Sequence, residues 1–510
     1  MTIAVLGAAH DELIEHWLGE LVDRRFASRL FAKDVTLWGP AAEAEAAIRL
    51  GWIDAPQTAP RIVAEAEALR AELEAMGVDR IVLCGMGGSS LAPLVITPSL
   101  IVLDSTHPDA VREVLSGDLA RTAVVVSSKS GSTIETLYHR AVFEEAFAKA
   151  GIAASSRIVV ITDPGSALEI SARERGQCIV LADPCVGGRF SALTAFGLVP
   201  AVLAGTDVSK IVEDAAAARA LLSADDAANP ALALAAAIRA GLPARLVLEV
   251  RSRDEFPDRF GLWIEQLIAE STGKDGVGVL PIALPRSSMP SDGAPEAVQR
   301  VALDDRDSGS EPPPNGELLV TGTLGEQFLL WEAVAAALGF LLGINPFDQP
   351  DVEAAKIAAR EMLGTPLAAD PPPPAPEALL PRLARCVPPG GYLGIQAYSS
   401  PLDERLRPLL EALRERLSQE LAAPVTLGWG PRYLHSTGQM HKGGPALGAF
   451  LQLVDTAGED IPVPGEGVTF GQLLRAQACG DATVLRERGR SVLAIASDDL
   501  AGYLEAVLAA

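Results

Sequence analysis

Between residues 61 and 183 the chain alternates short apolar runs with longer stretches of helical spacing. The runs are RIVLCG (80–85), LIVLDS (100–105), AVVVSS (123–128), RIVVITD (157–163) and QCIVLAD (177–183). Each is apolar at successive positions rather than at every second one. A strand of that kind has both faces buried, so helices must cover both sides of the sheet, and the strands run parallel. The pattern predicts one doubly wound α/β domain over 61–225, preceded by a mainly helical arm at 1–60.

A second, less regular set follows over 226–368. ARLVLEV (244–250), VGVLPIAL (277–284) and ELLVTG (317–322) read as strands. DRFGLWIEQLIAES (258–271) places Phe260, Trp263, Ile264, Leu267 and Ile268 on one helical face. ADPPPPAPE (369–377) is neither helix nor central strand and reads as a stiff extended crossing. Beyond it, over 369–510, GYLGIQAYSS, a helix at 401–421, PVTLGW, GAFLQLVD and a last helix–strand–helix complete the pattern. Phe328–Ile344 is apolar enough to imitate a membrane helix. Glu332 interrupts it, and it falls short of the ~20 residues that span a bilayer, so a buried core helix is expected.

Composition narrows the function classes. The 510 residues carry a formal net charge of −24. Such a surface repels nucleic acid and anionic membranes, so neither is expected as a partner. Five scattered cysteines without CxxC spacing fit reduced thiols in a cytosolic protein, and the N-terminus lacks the basic start of a signal peptide.

In open parallel sheets, ligands bind beyond the carboxyl ends of the strands. After the first strand comes CGMGGSSLAP (84–93), whose glycines let the backbone approach a ligand ahead of a helix start at Ser89 or Ser90. Three readings stand beside each other: an anion site, a tight turn without ligand, and a dinucleotide fingerprint built on Gly85, Gly87 and Asp104, with Ser90 in place of the third glycine. After the third strand, SSKSGSTIETL (127–137) offers hydroxyls, one lysine and a Ser132–Glu135 capping box. Two serine-rich, anion-friendly loops on adjacent strand ends favour a phosphorylated small molecule over a dinucleotide.

Arg189 leads into an apolar helix, where a partly buried guanidinium wants an anionic partner. Glu270 closes the helix at 258–271, with Gly273 as its stop. A helix C-terminus is the unfavourable end for a carboxylate and tends to raise its pKa, which suits a general base. The plainer reading is an exposed Glu270–Lys274 pair, and the local sequence alone favours it. Pro350 opens a further helix, with Gln349 at the junction and Lys356 two turns in. The loop GPRYLHSTGQMHKGGP (430–445) holds two of the six histidines, His435 and His441, and no acidic residue, which argues against a metal site.

Taken in order, GMGGSSLAP, SSKSGSTIET, GGRFSA, ESTGK and NPFDQPDVEAAK resemble phosphoglucose isomerase over residues 84–356. The resemblance implies two flavodoxin-like sugar isomerase (SIS) domains and reversible isomerisation of glucose 6-phosphate and fructose 6-phosphate in glycolysis and gluconeogenesis, with no cofactor and no metal. It implies that Ser89, Ser128, Lys129, Ser130 and Thr133 surround the sugar phosphate, and that Gly88 and Gln349 line the sugar. Glu270 would shuttle the proton, Arg189 would stabilise the enediolate, and Lys356 with a histidine would assist ring opening. In most of the family the histidine loop precedes the Gln/Lys segment. Here LHSTGQMHKGG follows it, an arrangement similar to the isomerase half of transaldolase–phosphoglucose isomerase fusions, and it points to His435 over His441. The C-terminal segment is therefore expected to complete the second sheet, with the Pro371–Pro374 run as the crossing. A homodimer is usual in the family. The alternatives are a non-catalytic SIS-type sugar-phosphate sensor and an isomerase that also accepts mannose 6-phosphate.

Overall fold

The computed structural model describes residues 3–7, 11–253, 256–288, 295–305, 317–363 and 372–510, with the backbone alone at 352–356 and at Pro295. The described residues form three mainly parallel sheets.

The first sheet holds β2 (Arg80–Gly85), β3 (Ile101–Leu103), β4 (Thr122–Ser127), β5 (Ile158–Thr162) and β6 (Cys178–Leu181). Their order is β3-β2-β4-β5-β6 and all pairs are parallel, the flavodoxin-like arrangement expected from the sequence. Val82, Val124, Val126 and Val160 point to one core, and Leu83, Val125, Val159 and Ile161 to the other. Period-two alternation of an apolar run thus feeds two helical layers.

The second sheet contains β7 (Val247–Ser252), β8 (Leu280–Leu284), β9 (Val298–Asp304) and β10 (Leu318–Thr321), all parallel. β1 (Ala4–Leu6) adds to the β10 edge in antiparallel sense. Two of these strands depart from expectation. β1 lies in the arm read as mainly helical. β9, VQRVALD, carries polar positions within its apolar run, and Arg300 pairs with Glu249 on neighbouring β7 at 3.2 Å. The apolar helix Leu324–Leu342 is long and apolar enough to cross a membrane, yet nearly all of it is buried in the protein core.

The C-terminal strands do not complete the second sheet. β11 (Tyr392–Tyr398), β12 (Val425–Trp429), β13 (Gly448–Asp455) and β14 (Ser491–Ser497) form a parallel sheet of their own, ordered β12-β11-β13-β14. The reason is physical. The second sheet ends at β8 on one side and is capped by antiparallel β1 on the other. The C-terminal strands meanwhile bring their own cover, helices Pro376–Leu383, Leu406–Leu421 and Leu500–Ala509, which bury Leu393, Ile395, Leu451, Leu453 and Ile495. The opposite face packs on the second sheet through Tyr392 and Phe450 against Leu246, Val247, Leu280 and Ile282. Of the proline run, Pro371 lies outside the described residues, and 372–375 is irregular backbone leading into helix Pro376–Leu383.

Candidate active site

Helix Phe260–Thr272 is not amphipathic in place. Every residue from Trp263 to Thr272 is buried, including Glu265, Gln266 and Glu270. Glu270 is therefore not an exposed partner of Lys274. Its Oε2 lies 3.5 Å from Arg189 Nη1, with both side chains under one tenth exposed. Arg189 follows Gly187-Gly188 on a short turn and gives four hydrogen bonds to its neighbours. It donates to Ser271 Oγ at 2.9 Å, Gln349 Oε1 at 2.5 Å, and the carbonyls of Pro346 and Asp348 at 2.6 and 3.0 Å. Burial lowers its pKa and the Glu270 carboxylate opposes that. The arginine thus binds the 345–349 loop to the helix that carries the acid.

Lys274 acts on the same loop. Its buried ammonium donates to Asn345 O and Asp348 O, both at 2.7 Å, and to Asp348 Oδ1 at 2.6 Å. Burial, then the nearby Arg189 charge, lowers its pKa to about 8 against the pull of Asp348. Lys356 stands in the backbone of helix Pro350–Met362, but its side chain lies outside the described residues.

The glycines of the first loop serve close approach. A Cβ on Gly88 would stand 2.1 Å from Gly188 O, so the loop touches the backbone that carries Arg189. Gly87 has φ +54°, and a Cβ there would stand 2.5 Å from His435 O. One dipeptide thereby meets both the arginine turn and the histidine loop. Ser89 is buried at the strand end, and the helix proper begins at Leu91, with Ser90 at the N-cap position donating its hydroxyl to Gly87 O rather than capping the helix. Asp104, the acid a dinucleotide would need, instead faces Arg432 of the histidine loop at 3.4 Å.

The second loop folds on itself through hydroxyls. Ser128 Oγ and Thr133 Oγ1 are 3.0 Å apart, as are Ser130 Oγ and Ser132 Oγ. The Lys129 ammonium is drawn to Asp163, just past β5, and to Pro184 O at 3.3 Å. The expected capping box is absent. Thr133 is the N-cap of Ile134–Lys149 and makes no side-chain cap bond. Glu135 turns inward, where its Oε1 meets His435 Nε2 at 3.0 Å.

His435 thus reaches the site within its own chain. Gln266 Nε2 ties it to the acid, donating to His435 O at 2.8 Å and lying 3.3 Å from Glu270 Oε2. The loop is also clamped through Gln439, which donates to Gly273 O at 2.9 Å and to Asp351 Oδ2 at 2.8 Å. Gly273 makes this possible, because a Cβ there would sit 2.4 Å from Met440 Cα. His441 points elsewhere. Its ring is buried among Tyr392, Tyr433 and Phe450, Nδ1 is 2.9 Å from Tyr392 OH, and burial lowers its pKa to about 3.

Gly88, Arg189, Glu270, Gln349 and His435 are therefore brought together, with Gly88, Arg189 and Glu270 buried, His435 half-buried and Gln349 exposed at the rim. Glu135, Gln266, Lys274 and Gln439 were not singled out as site residues from sequence. The signals in the sequence were the places of Glu135 in the serine motif, Lys274 in ESTGK and Gln439 in LHSTGQ, and the i, i+4 spacing of Gln266 and Glu270.

Comparison with known proteins points to one family. A glucose-6-phosphate isomerase of Rubrobacter xylanophilus is 30% identical over 389 residues, covering 62% of this chain and 89% of the relative. The chain belongs to the glucose-6-phosphate isomerase family. A probable glucose-6-phosphate isomerase of Haloarcula marismortui is 37% identical over 220 residues, where the match spans about half of that relative's length (49%) and 40% of this chain. The crystal structure of a glucose-6-phosphate isomerase from Chlamydia trachomatis shares the fold, with a TM-score of 0.54 at 20% identity over 69% of this chain and 86% of that one. No family model matches the chain. Membership places the protein among aldose–ketose isomerases of phosphorylated sugars.

Proposed function

We infer that the protein interconverts glucose 6-phosphate and fructose 6-phosphate through an enediolate, as its family does. The observation that carries this reading is the buried Glu270 carboxylate facing Arg189 beside the glycine loop and His435.

Aldose–ketose isomerisation moves one proton between adjacent carbons and transfers a second between their oxygens. It needs a base that can receive and return a proton, and a cation beside the oxygens that gain charge. Glu270 takes the proton from C2 of the open-chain aldose and returns it to C1. Arg189, held rigid by four acceptors, meets the enediolate oxygens. Its planar fork is already oriented, so little reorganisation is needed when charge develops. The serine loops at 89 and 128–133, with Lys129, receive the phosphate, and Gly88 and Gln349 border the sugar.

Ring opening needs a proton donor at the ring oxygen and a group to take the anomeric proton. His435 suits this role. Glu135 accepts a hydrogen bond from its Nε2, which leaves Nδ1 to exchange protons with the sugar. Lys356 is proposed as the second group.

The test is a coupled assay of the purified protein on fructose 6-phosphate, alongside Glu270→Gln. Turnover in the parent and its loss in the variant are expected. No turnover in the parent, or equal turnover in both, would sink the reading.

A further inference from the structure

The His435–Glu135 contact does not stand alone. Gln477, on helix Phe470–Glu487, donates its Nε2 to Glu135 Oε1 at 2.8 Å, the same oxygen that meets His435. The orientation of this amide is fixed from behind, because the Thr106 hydroxyl donates to Gln477 Oε1 at 2.8 Å. Four groups thus form one chain, from Thr106 past β3, through Gln477 and Glu135, to His435.

One turn further along the same helix face stands Asp481, wholly buried. Its Oδ2 accepts from Tyr433 OH at 2.5 Å, and its Oδ1 lies 2.5 Å from Lys442 Nζ. Tyr433 itself is 2.8 Å from Tyr398 OH. Tyr433 and Lys442 flank His435 on either side in sequence, so a single carboxylate pins both ends of the loop.

We propose that Gln477 and Asp481 are positioning residues for the His435–Glu135 pair, the first fixing the carboxylate and the second fixing the loop that carries the histidine. The inference rests on the functional reading above for its kinetic consequences, but not for its physical ones. A donor on Glu135 Oε1 draws charge away from the oxygen that His435 faces. Removing it strengthens the pull on the imidazolium and raises the histidine's proton affinity. Other charged or titratable groups around the loop, among the described residues, include Arg432 with Asp104, the Lys442–Asp481 pair, Arg490 on the carbonyls of His441, Lys442 and Gly444, Glu270 beyond Gln266, and His139 within the field of Glu135. Gln477→Met changes none of them and keeps the side chain's length.

The experiment follows the His435 ring by NMR titration in the full-length protein, in the parent, Gln477→Met and Thr106→Val. In parallel it measures turnover of fructose 6-phosphate and binding of 6-phosphogluconate, an acyclic sugar phosphate that needs no ring opening. Gln477→Met is expected to raise the His435 midpoint by about half to one pH unit and lower kcat about tenfold, with 6-phosphogluconate affinity within about twofold. Thr106→Val is expected to shift the midpoint in the same direction by less, and covers the case in which Gln477→Met does not fold. Asp481→Asn is expected to lower kcat about tenfold at the same acyclic affinity. An unshifted His435 in the folded variants, or equal loss of turnover and acyclic binding, would overturn the proposal. A shifted histidine in a protein that turns over no hexose phosphate would instead sink the functional reading and leave this one standing.

Discussion

Arg189 Nη1 stands 3.5 Å from Glu270 Oε2, and neither side chain is as much as a tenth exposed. This pair fixes the polarity of the site. The carboxylate faces the guanidinium, while the guanidinium keeps four other acceptors and does not depend on the acid for its position.

Glu270→Gln keeps the shape and the contact with Gln266 but removes the carboxylate proposed as the base. Turnover should fall by about 10²-fold or more, the usual worth of a positioned general base. Binding of an acyclic sugar-acid phosphate should change little. Steady-state kinetics with calorimetric titration of the ligand checks both parts.

Gly88→Ala should damage the site without touching a reactive group. Its Cβ would meet a carbonyl oxygen of the Arg189 turn at 2.1 Å, and backbone cannot swing away as a side-chain tip can. Separating the glycine loop from Arg189 should reduce kcat/KM by about 10²-fold, as misplacements of about 1 Å do. Near-normal kcat/KM in this variant would show that the loop is free to shift.

His441 should make the fold acid-sensitive. Its folded pKa is lowered to about 3 by burial, against 6.5 as a free side chain. Between those values the unfolded chain binds a proton that the folded chain refuses. Stability from this residue is therefore complete above about pH 6.5 and declines towards pH 3, by about 1.4 kcal/mol for each unit crossed. His441→Phe should flatten the fall of melting temperature over that window. An equally steep fall in the variant would assign the acid sensitivity to other groups.

Glu332 is a buried carboxyl in the core helix Leu324–Leu342, and neither oxygen finds a hydrogen-bond partner among the described residues. Burial raises its pKa well above 4.5, so the folded protein keeps the proton that the unfolded chain loses. The cost of holding that proton grows as pH rises above about 4.5. Glu332→Met should stabilise the protein by about 1–3 kcal/mol near neutrality and by less at pH 5. Denaturant unfolding at the two pH values measures the difference.

Legibility differed between the two kinds of signal. Strands β2 to β6 could be read to within about two residues at each end, because runs such as AVVV favour burial on both faces, although β6 at the sheet edge leaves Cys178 and Leu181 exposed. β9 was missed because Arg300 breaks its run, and its partner Glu249 lies on another strand. Glu135 was misread for a similar reason. Serine three residues before glutamate is the local signature of a capped helix, and nothing local shows that a histidine 300 residues away will claim the carboxylate. The same limit applied to Lys274. Four residues from Glu270 it looks like a surface pair, whereas in space it grips the 345–349 loop.

The sequence by itself determined the α/β class, the loops after the strands and the identity of Arg189, Glu270, Gln349 and His435 as the residues to watch. The class and the loops follow from periodicity and turn chemistry, which act over short stretches of chain, and the four residues follow from the ordered motifs that resemble phosphoglucose isomerase. Only the tertiary structure decided that the last four strands make a sheet of their own rather than joining the second. It also decided that the His435 backbone is tied through Gln266 to Glu270 within one chain while its ring meets Glu135, and that His441 is a buried core residue. Those outcomes depend on which edges are already occupied and which surfaces meet, and they arise from packing between segments hundreds of residues apart.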